Sequence, residues 1–573
     1  TMSLMIKHDR FPNLKNPILG KYGPVIVIII LLTGICLAYG LLSSVWIFSP
    51  LELMVINLGI FVIFIIAIYH KKEEQSLNWL FFIIVIFVSI LLGAIVATPN
   101  TFGAASYSPI YNVHHSSAYI DSIYKIMHSQ PYNGNLTDQY GHYALFYYLP
   151  LKIFGESTLT ISIILGILFA VSFLCLMYAI HITVESDWIK IIIALAGGTA
   201  LAMQSSLNIY WQTLPHRIFF PSIMILFIAL SSGRELTKKD YFIGSIISIL
   251  SMLWNIESGI ASVIAWLFFI VVNYYQRNEF NVNSLLKIIV KSVVAVFIYL
   301  TIPFLIVNLY NLIVTEFDVS HLISVRMFFG MVSDPAYIES LRTELRWENL
   351  PYLYIMLIFI GYIALALRNT SIISKECKVS RTSIVAAAAS IVGLALLTMW
   401  INRSAALLSG TFIFIAMVSG LLAYQMMPEI KRLKDWKSFD VYESLKVSIC
   451  SLALLGLILM GTTAMNLGES MDERYSSGCY DYNDFTQFAE EIGTNIPKDT
   501  LAAGQGTTAI YMELGWDKGY YEFWRNDELW TVLSQSDSFL VGAEMLMYVN
   551  PAAYHIEKTF VYAGEKYYYY VRS

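Results

Sequence analysis

Apolar residues along this chain fall into long runs joined by short polar connections. A helix needs about 20 apolar residues to cross the hydrocarbon of a bilayer. About thirteen segments meet or approach that length: 24–46, 51–69, 78–97, 158–181, 188–204, 218–232, 241–256, 258–273, 288–310, 350–368, 383–401, 404–425 and 444–465. The pattern predicts an α-helical polytopic membrane protein. Segments 218–232 and 241–256 are short enough to be broken or re-entrant. No stretch shows the strict alternation of a barrel strand.

Three stretches interrupt the apolar runs. The connection 98–157 is far longer than a helix-to-helix link requires. Within it, Tyr119, Ile123, Ile126 and Met127 recur at helical spacing, which predicts an amphipathic helix over 115–128 lying on the membrane interface. The connection 311–349 carries both charge signs and several aromatics. The tail 468–573 turns abruptly polar. It predicts a helix over 482–495 and strands over 500–504, 537–541, 554–562 and 566–572, the last two flanking a turn at Ala563-Gly564-Glu565. The expected division is a multi-pass part, 1–467, and a small C-terminal α/β domain, 468–573.

Composition narrows the class. Only 13% of the 573 residues are charged, against about a quarter in a soluble protein. A net charge of -5 without a large basic cluster excludes a nucleic-acid partner. Lys and Arg settle the orientation. With the N-terminus cytoplasmic, the inner segments hold 21 of them and the outer connections before the tail hold 7. That places 98–157, 311–349 and the tail outside a plasma membrane; no Ala-x-Ala cleavage pattern follows the first span, which is expected to act as an uncleaved anchor.

Candidate chemistry gathers on that outer side. His114, His115, Asp121, Asp138, Tyr140 and His142 crowd into 98–157. Gln212, His216 and Arg217 sit in WQTLPHRIFFP, Asn255 and Glu257 in LWNIESG, Arg326, Arg342 and Arg346 in 311–349, and Arg403 at the outer end of a span. Ionisable groups at membrane depth are costly and usually face a polar cavity. Guanidinium forks match phosphate oxygens, and a carboxylate or neutral imidazole can take a proton from a hydroxyl. These are the parts of a transferase with a lipid-phosphate-linked donor. His114, His115, Asp121 and Asp138 are the candidate bases. Tyr140, His142, His216, Arg217, Asn255, Glu257, Arg326, Arg342, Arg346 and Arg403 are the candidate substrate ligands. The sequence names no cofactor, and the His and Asp residues of 98–157 leave a divalent cation open.

HHSSAYIDSIYKIMHSQPY followed by YGHYALFYYLPLKIFG resembles, in spacing, the long external loop of integral-membrane glycosyltransferases of the C-type (GT-C) fold. That group includes the protein O-mannosyltransferases, lipid A aminoarabinose transferases and arabinosyltransferases. The resemblance implies a polyprenyl-phosphate-linked sugar as donor and an extracytoplasmic glycan, lipid or protein as acceptor, with membrane lipids as surroundings. The chain departs from the family pattern in two ways. Two extra spans precede the loop, and His114 and His115 stand where an acidic pair is expected. A ligase or polymerase of lipid-linked glycans would use the same outer site with a diphosphate leaving group. A transporter or flippase would instead place ionisable residues near the midplane of repeated, broken helices.

Overall fold

A computed structural model of the chain describes residues 78–97, 109–132, 140–207, 211, 214–329, 379–402, 482–520, 526–562 and 565–573, with scattered positions in 356–372 and 413–421. The expected spans 24–46, 51–69 and 444–465 lie outside the described residues, as do most of 350–368 and 404–425.

The expected spans that are described form helices with nearly the expected bounds. They are α1 (Asn78–Ala97), α4 (Thr158–Thr183), α5 (Asp187–Leu207), α6 (Phe219–Ser231), α7 (Lys238–Trp254), α8 (Ile256–Tyr275), α9 (Val282–Val314) and α11 (Arg381–Asn402). Among the described residues, α1, α4, α8 and α9 are long and apolar enough to cross a membrane. At 13 residues, α6 reaches only about 20 Å and cannot cross alone. Outward from these helices, large apolar side chains stand exposed, such as Ile83, Phe87 and Ile90 on α1 and Val293, Phe297 and Leu305 on α9. So extensive an apolar surface belongs in lipid, and the protein is a membrane protein.

Local chemistry fixes the helix ends. Ser157 caps α4 by accepting from Thr160 N (3.1 Å). Thr237 and Asp240 form a reciprocal capping box at α7. Asn255 ends α7 and caps α8 at once, its Oδ1 accepting from Ser258 N (2.8 Å). The chain thus turns between two packed helices through one extended residue. α1 and α4 approach closely at Gly93 and Gly166, where a Cβ on Gly166 would meet Ala97 Cβ at 2.8 Å. Small residues let helices pack tightly without a hydrophobic drive between them.

The helices have two chemically distinct ends. At one, Lys190 bonds Asp187 (2.9 Å) and Asn78 (3.2 Å). Arg381 reaches the carbonyls of Ile182 and Ser232 (both 3.2 Å). Arg234 forks onto Asp240 (2.6 Å twice). This end gathers the connections that the Lys/Arg pattern assigns to the inside. The other end carries α2 (Pro109–Met127), α3 (Ala144–Phe154), α10 (Val325–Phe329) and the C-terminal residues.

Residues 482–573 comprise α12 (Tyr482–Asn495), β1 (Leu501–Ala503), α13 (Thr507–Leu514), β2 (Gly519–Tyr520), α14 (Asn526–Gln535), β3 (Ser538–Gly542), β4 (Tyr554–Tyr562) and β5 (Glu565–Arg572). The sheet order is β2-β1-β3-β5-β4. β2, β1 and β3 run parallel, joined by crossovers that contain α13 and α14. β3, β5 and β4 are antiparallel. One face packs on α12, with Phe488 stacked on Tyr562 (4.7 Å).

Candidate functional site

α2 carries three of the four candidate bases. The sequence places it on the membrane interface. Instead every side chain from Ser116 to Met127 is buried. The cover is non-local: α13 packs along α2 from one side and α3 from another. The apolar stripe read from the sequence is real, but its partner is protein. The exposed apolar face belongs to α3, through Leu149, Ile153 and Phe154.

Asp121 is completely enclosed, with Lys125 Nζ 3.2 Å from its Oδ2. His114 and His115 lie in α2, one turn before Ser117 and Tyr119. Tyr119 stacks on Tyr143 (4.2 Å between centroids), and the Tyr143 hydroxyl donates to Tyr119 O (2.7 Å).

The turn before α3 locks onto the α7–α8 junction. The Tyr140 carbonyl accepts from His216 Nε2 (2.8 Å) and from Asn255 Nδ2 (2.9 Å). Gly141 has φ +97°, and a Cβ there would run into the Trp254 carbonyl and lie 2.8 Å from Asn255 Cα. Glycine is the residue that allows this approach. His142 N then donates to Leu253 O (3.1 Å), and Trp254 Nε1 donates to His216 O (2.8 Å). A carbonyl only accepts, so His216 carries its proton on Nε2. Its Nδ1 is left to accept from the Tyr119 hydroxyl (3.3 Å). Burial, reinforced by the Arg217 charge, holds the His216 pKa down at about 3, against the bond to Tyr140. His216 is a neutral internal strut with both ring nitrogens engaged.

Arg217, the next residue, points to α8. Its Nε and Nη2 both donate to Glu257 Oε2 (2.9 and 2.7 Å). Arg217 is almost fully enclosed, while Glu257 is about one-fifth exposed. The pair is thus held at the start of α8, where the helix dipole favours a carboxylate.

The two long connections meet at His142. Its ring stacks on Phe328 of α10 (4.9 Å) and meets Tyr132 edge-on (5.0 Å). Burial lowers its pKa to about 4. Asn311, near the end of α9, secures the same junction. It accepts from Tyr132 N (2.8 Å) and donates to Tyr132 O and His321 O. Arg326, exposed, lies two residues before Phe328.

Tyr140, His142, His216, Arg217, Asn255 and Glu257, drawn from three separate segments, therefore converge at one end of the helices. Asp138, Gln212, Arg342, Arg346 and Arg403 lie outside the described residues. Among the described residues, no three His, Cys, Asp or Glu side chains could share a metal ion.

Sequence reading missed the groups that assemble this end. Asn311 bridges by reproducing a strand's paired bonds with its side-chain amide, which no motif announces. Ser117 and Tyr124 occupy the same helical stripe as Asp121, at spacings of four and three. That periodicity was present in the sequence, but its partners lie almost 400 residues away.

No family model and no curated protein matches the chain. Among solved structures, it is similar to ArnT from Cupriavidus metallidurans, crystallised with undecaprenyl phosphate. The identity is 12%, the TM-score 0.39, and the match covers 87% of this chain and 98% of that one. A likeness this loose carries no argument about fold or activity.

Proposed function

We propose that the protein is an integral-membrane glycosyltransferase of the C-type fold. It transfers a sugar from a polyprenyl-phosphate carrier to an acceptor on the outer side of a plasma membrane. The observation that carries this reading is the convergence at the Tyr140 carbonyl and the Arg217–Glu257 pair. It gathers the polar residues of the first long connection and two helix junctions at one end of lipid-exposed helices. A group there can meet a lipid head group and a water-borne acceptor together.

In the reaction, the acceptor hydroxyl loses its proton to a base on or near α2, and its oxygen bonds to the anomeric carbon. The bond from that carbon to the phosphate oxygen breaks, and its electron pair leaves on the lipid phosphate. Arginine meets the charge that develops there. Arg217 supplies part of that field while anchored by Glu257. Arg326, Arg342, Arg346 and Arg403 are the further candidates. Enclosure of Asp121 against Lys125 disfavours it as the group an acceptor must reach, so His114 or His115 is the preferred base and Asp138 the alternative. Tyr140, His142, His216 and Asn255 build the wall of the site. Residues 468–573 form the outer cap and do no chemistry.

The test uses reconstituted protein and a polyprenyl-phosphate-linked sugar, with release of polyprenyl phosphate as the signal. His114→Asn, His115→Asn, Asp121→Asn and Asp138→Asn are compared. One histidine variant is expected to lose transfer while keeping donor binding. Full activity in both histidine variants would remove them as bases. Failure to consume any polyprenyl-phosphate sugar would remove the reading itself.

A further inference from the structure

Ser117 and Tyr124 stand seven residues apart on α2, about 10 Å along its axis. Gly506 N, at the cap of α13, donates to Ser117 Oγ (2.7 Å). Past the other end of α13, the Tyr124 hydroxyl donates to Trp516 O (2.7 Å) and accepts from Gly519 N (2.9 Å). α13 has 8 residues, about 12 Å of helix. The two α2 side chains thus hold both ends of one helix running parallel to their own. Both are buried, and burial pushes the Tyr124 hydroxyl well above its usual pKa, so it stays protonated and able to donate.

A second tie runs from α13 to the membrane helices. Glu513 Oε1 accepts from Thr158 N (2.8 Å) and Thr158 Oγ1 (2.6 Å) at the start of α4, while Oε2 accepts from the Tyr482 hydroxyl (2.7 Å). A carboxylate there also complements the dipole of α4. α13 is therefore fixed between a spanning helix, α4, and α2, and it couples the two. Ser117 and Tyr124 make the contact, and Ser117 follows His114 by about one helical turn.

We infer that Ser117 and Tyr124 are positioning residues. Seating residues 504–520 on α2 sets the placement of the helix that carries the candidate bases, making the C-terminal unit a required part of the catalytic site rather than a detachable binding module. The inference rests on the transferase reading for the identity of the reaction, while the seat can be tested without it.

The experiment uses full-length protein in lipid nanodiscs with Tyr124→Phe, Ser117→Ala and Ser117→Thr. Hydrogen–deuterium exchange is read over 109–127 and 504–520. Transfer from a polyprenyl-phosphate-linked sugar gives kcat and the donor KM. Tyr124→Phe keeps the ring and removes both bonds, so exchange should rise about tenfold to a hundredfold in both segments, the combined effect of two buried bonds. The kcat should fall by about the same factor with donor KM nearly unchanged. Ser117→Ala should act likewise and Ser117→Thr, which keeps the Oγ, should recover. Faster exchange in 504–520 alone, or an unchanged kcat, would overturn the inference. Joint loosening in a protein whose unsubstituted form transfers no sugar would uphold the seat and overturn the transferase reading.

Discussion

Arg217 directs Nε and Nη2 at the same carboxylate oxygen of Glu257. A guanidinium facing a planar carboxylate can engage both of its oxygens, yet these two donors share one. Anchored in this way, the guanidinium keeps one orientation, and in the proposed reaction it would meet the phosphate charge without leaving its place.

Removing one partner of a buried ion pair costs about 3–5 kcal/mol, whereas replacing both by apolar residues of similar volume often costs little. Arg217→Ala should therefore lower the thermal midpoint more than the Arg217→Met/Glu257→Met double variant does. Arg217→Lys keeps the charge but loses the fork, and should regain only part of the transfer rate. Equal transfer by the Ala, Lys and unsubstituted proteins would take Arg217 out of the site.

Gly141 and Gly155 make a matched pair, with φ of +97° and +99°. A Cβ on Gly141 strikes the α7–α8 junction, while one on Gly155 meets nothing within 4 Å. Both alanine variants carry backbone strain of about 1–3 kcal/mol. Gly141→Ala adds the collision and should lose clearly more stability. Thermal unfolding of the two variants side by side checks this, and equal losses would mean that the Tyr140–His142 turn is not pressed against Trp254.

His142 and His216 make stability depend on pH. Their folded pKa values are about 4 and about 3, below the unfolded value of about 6.5. Between these limits the unfolded chain binds more protons, so stability rises with pH. It is highest above about 6.5 and is lost as the pH falls toward 4. Midpoints measured from pH 7.5 to 4.5 should show that slope. His142→Phe should flatten it, and an unchanged slope would mean that His142 is not held neutral.

The rate should follow a different profile. A histidine base protonates near its ordinary value of about 6.5 and transfer falls below it, whereas a carboxylate base leaves the rate flat to about pH 5. Rates taken at pH values where the midpoint is still high separate the two effects.

Much of the helical skeleton was legible because local composition dictates it. Thr158–Thr183 falls where apolar length puts it, and Tyr554–Tyr562 where a β-type run ends at the 563–565 turn signal. The Asn255 cap announces itself by a polar residue set between two apolar runs. The environment of α2 was not legible. Tyr119 and Ile123 need an apolar neighbour, but periodicity cannot say whether that neighbour is lipid or protein, and here α3 and α13 supply it. The same limit hid the partner of Tyr124, which bonds only backbone atoms of the 516–519 turn. Glu257 could have been a substrate ligand or an ion-pair partner on sequence grounds, and the 2.7 Å contact with Arg217 shows the pair.

α9 is 33 residues long, about 50 Å, whereas the hydrocarbon of a bilayer is about 30 Å thick. Its surplus length must be taken up by tilt or stand beyond the acyl chains. Its last turn is where the Tyr310 hydroxyl donates to Gln130 O (3.0 Å) and Asn311 holds Tyr132. The chain leaving α2 is therefore hung from the end of a helix longer than the hydrocarbon is thick, so any change in the tilt of α9 is carried to the segment that follows α2.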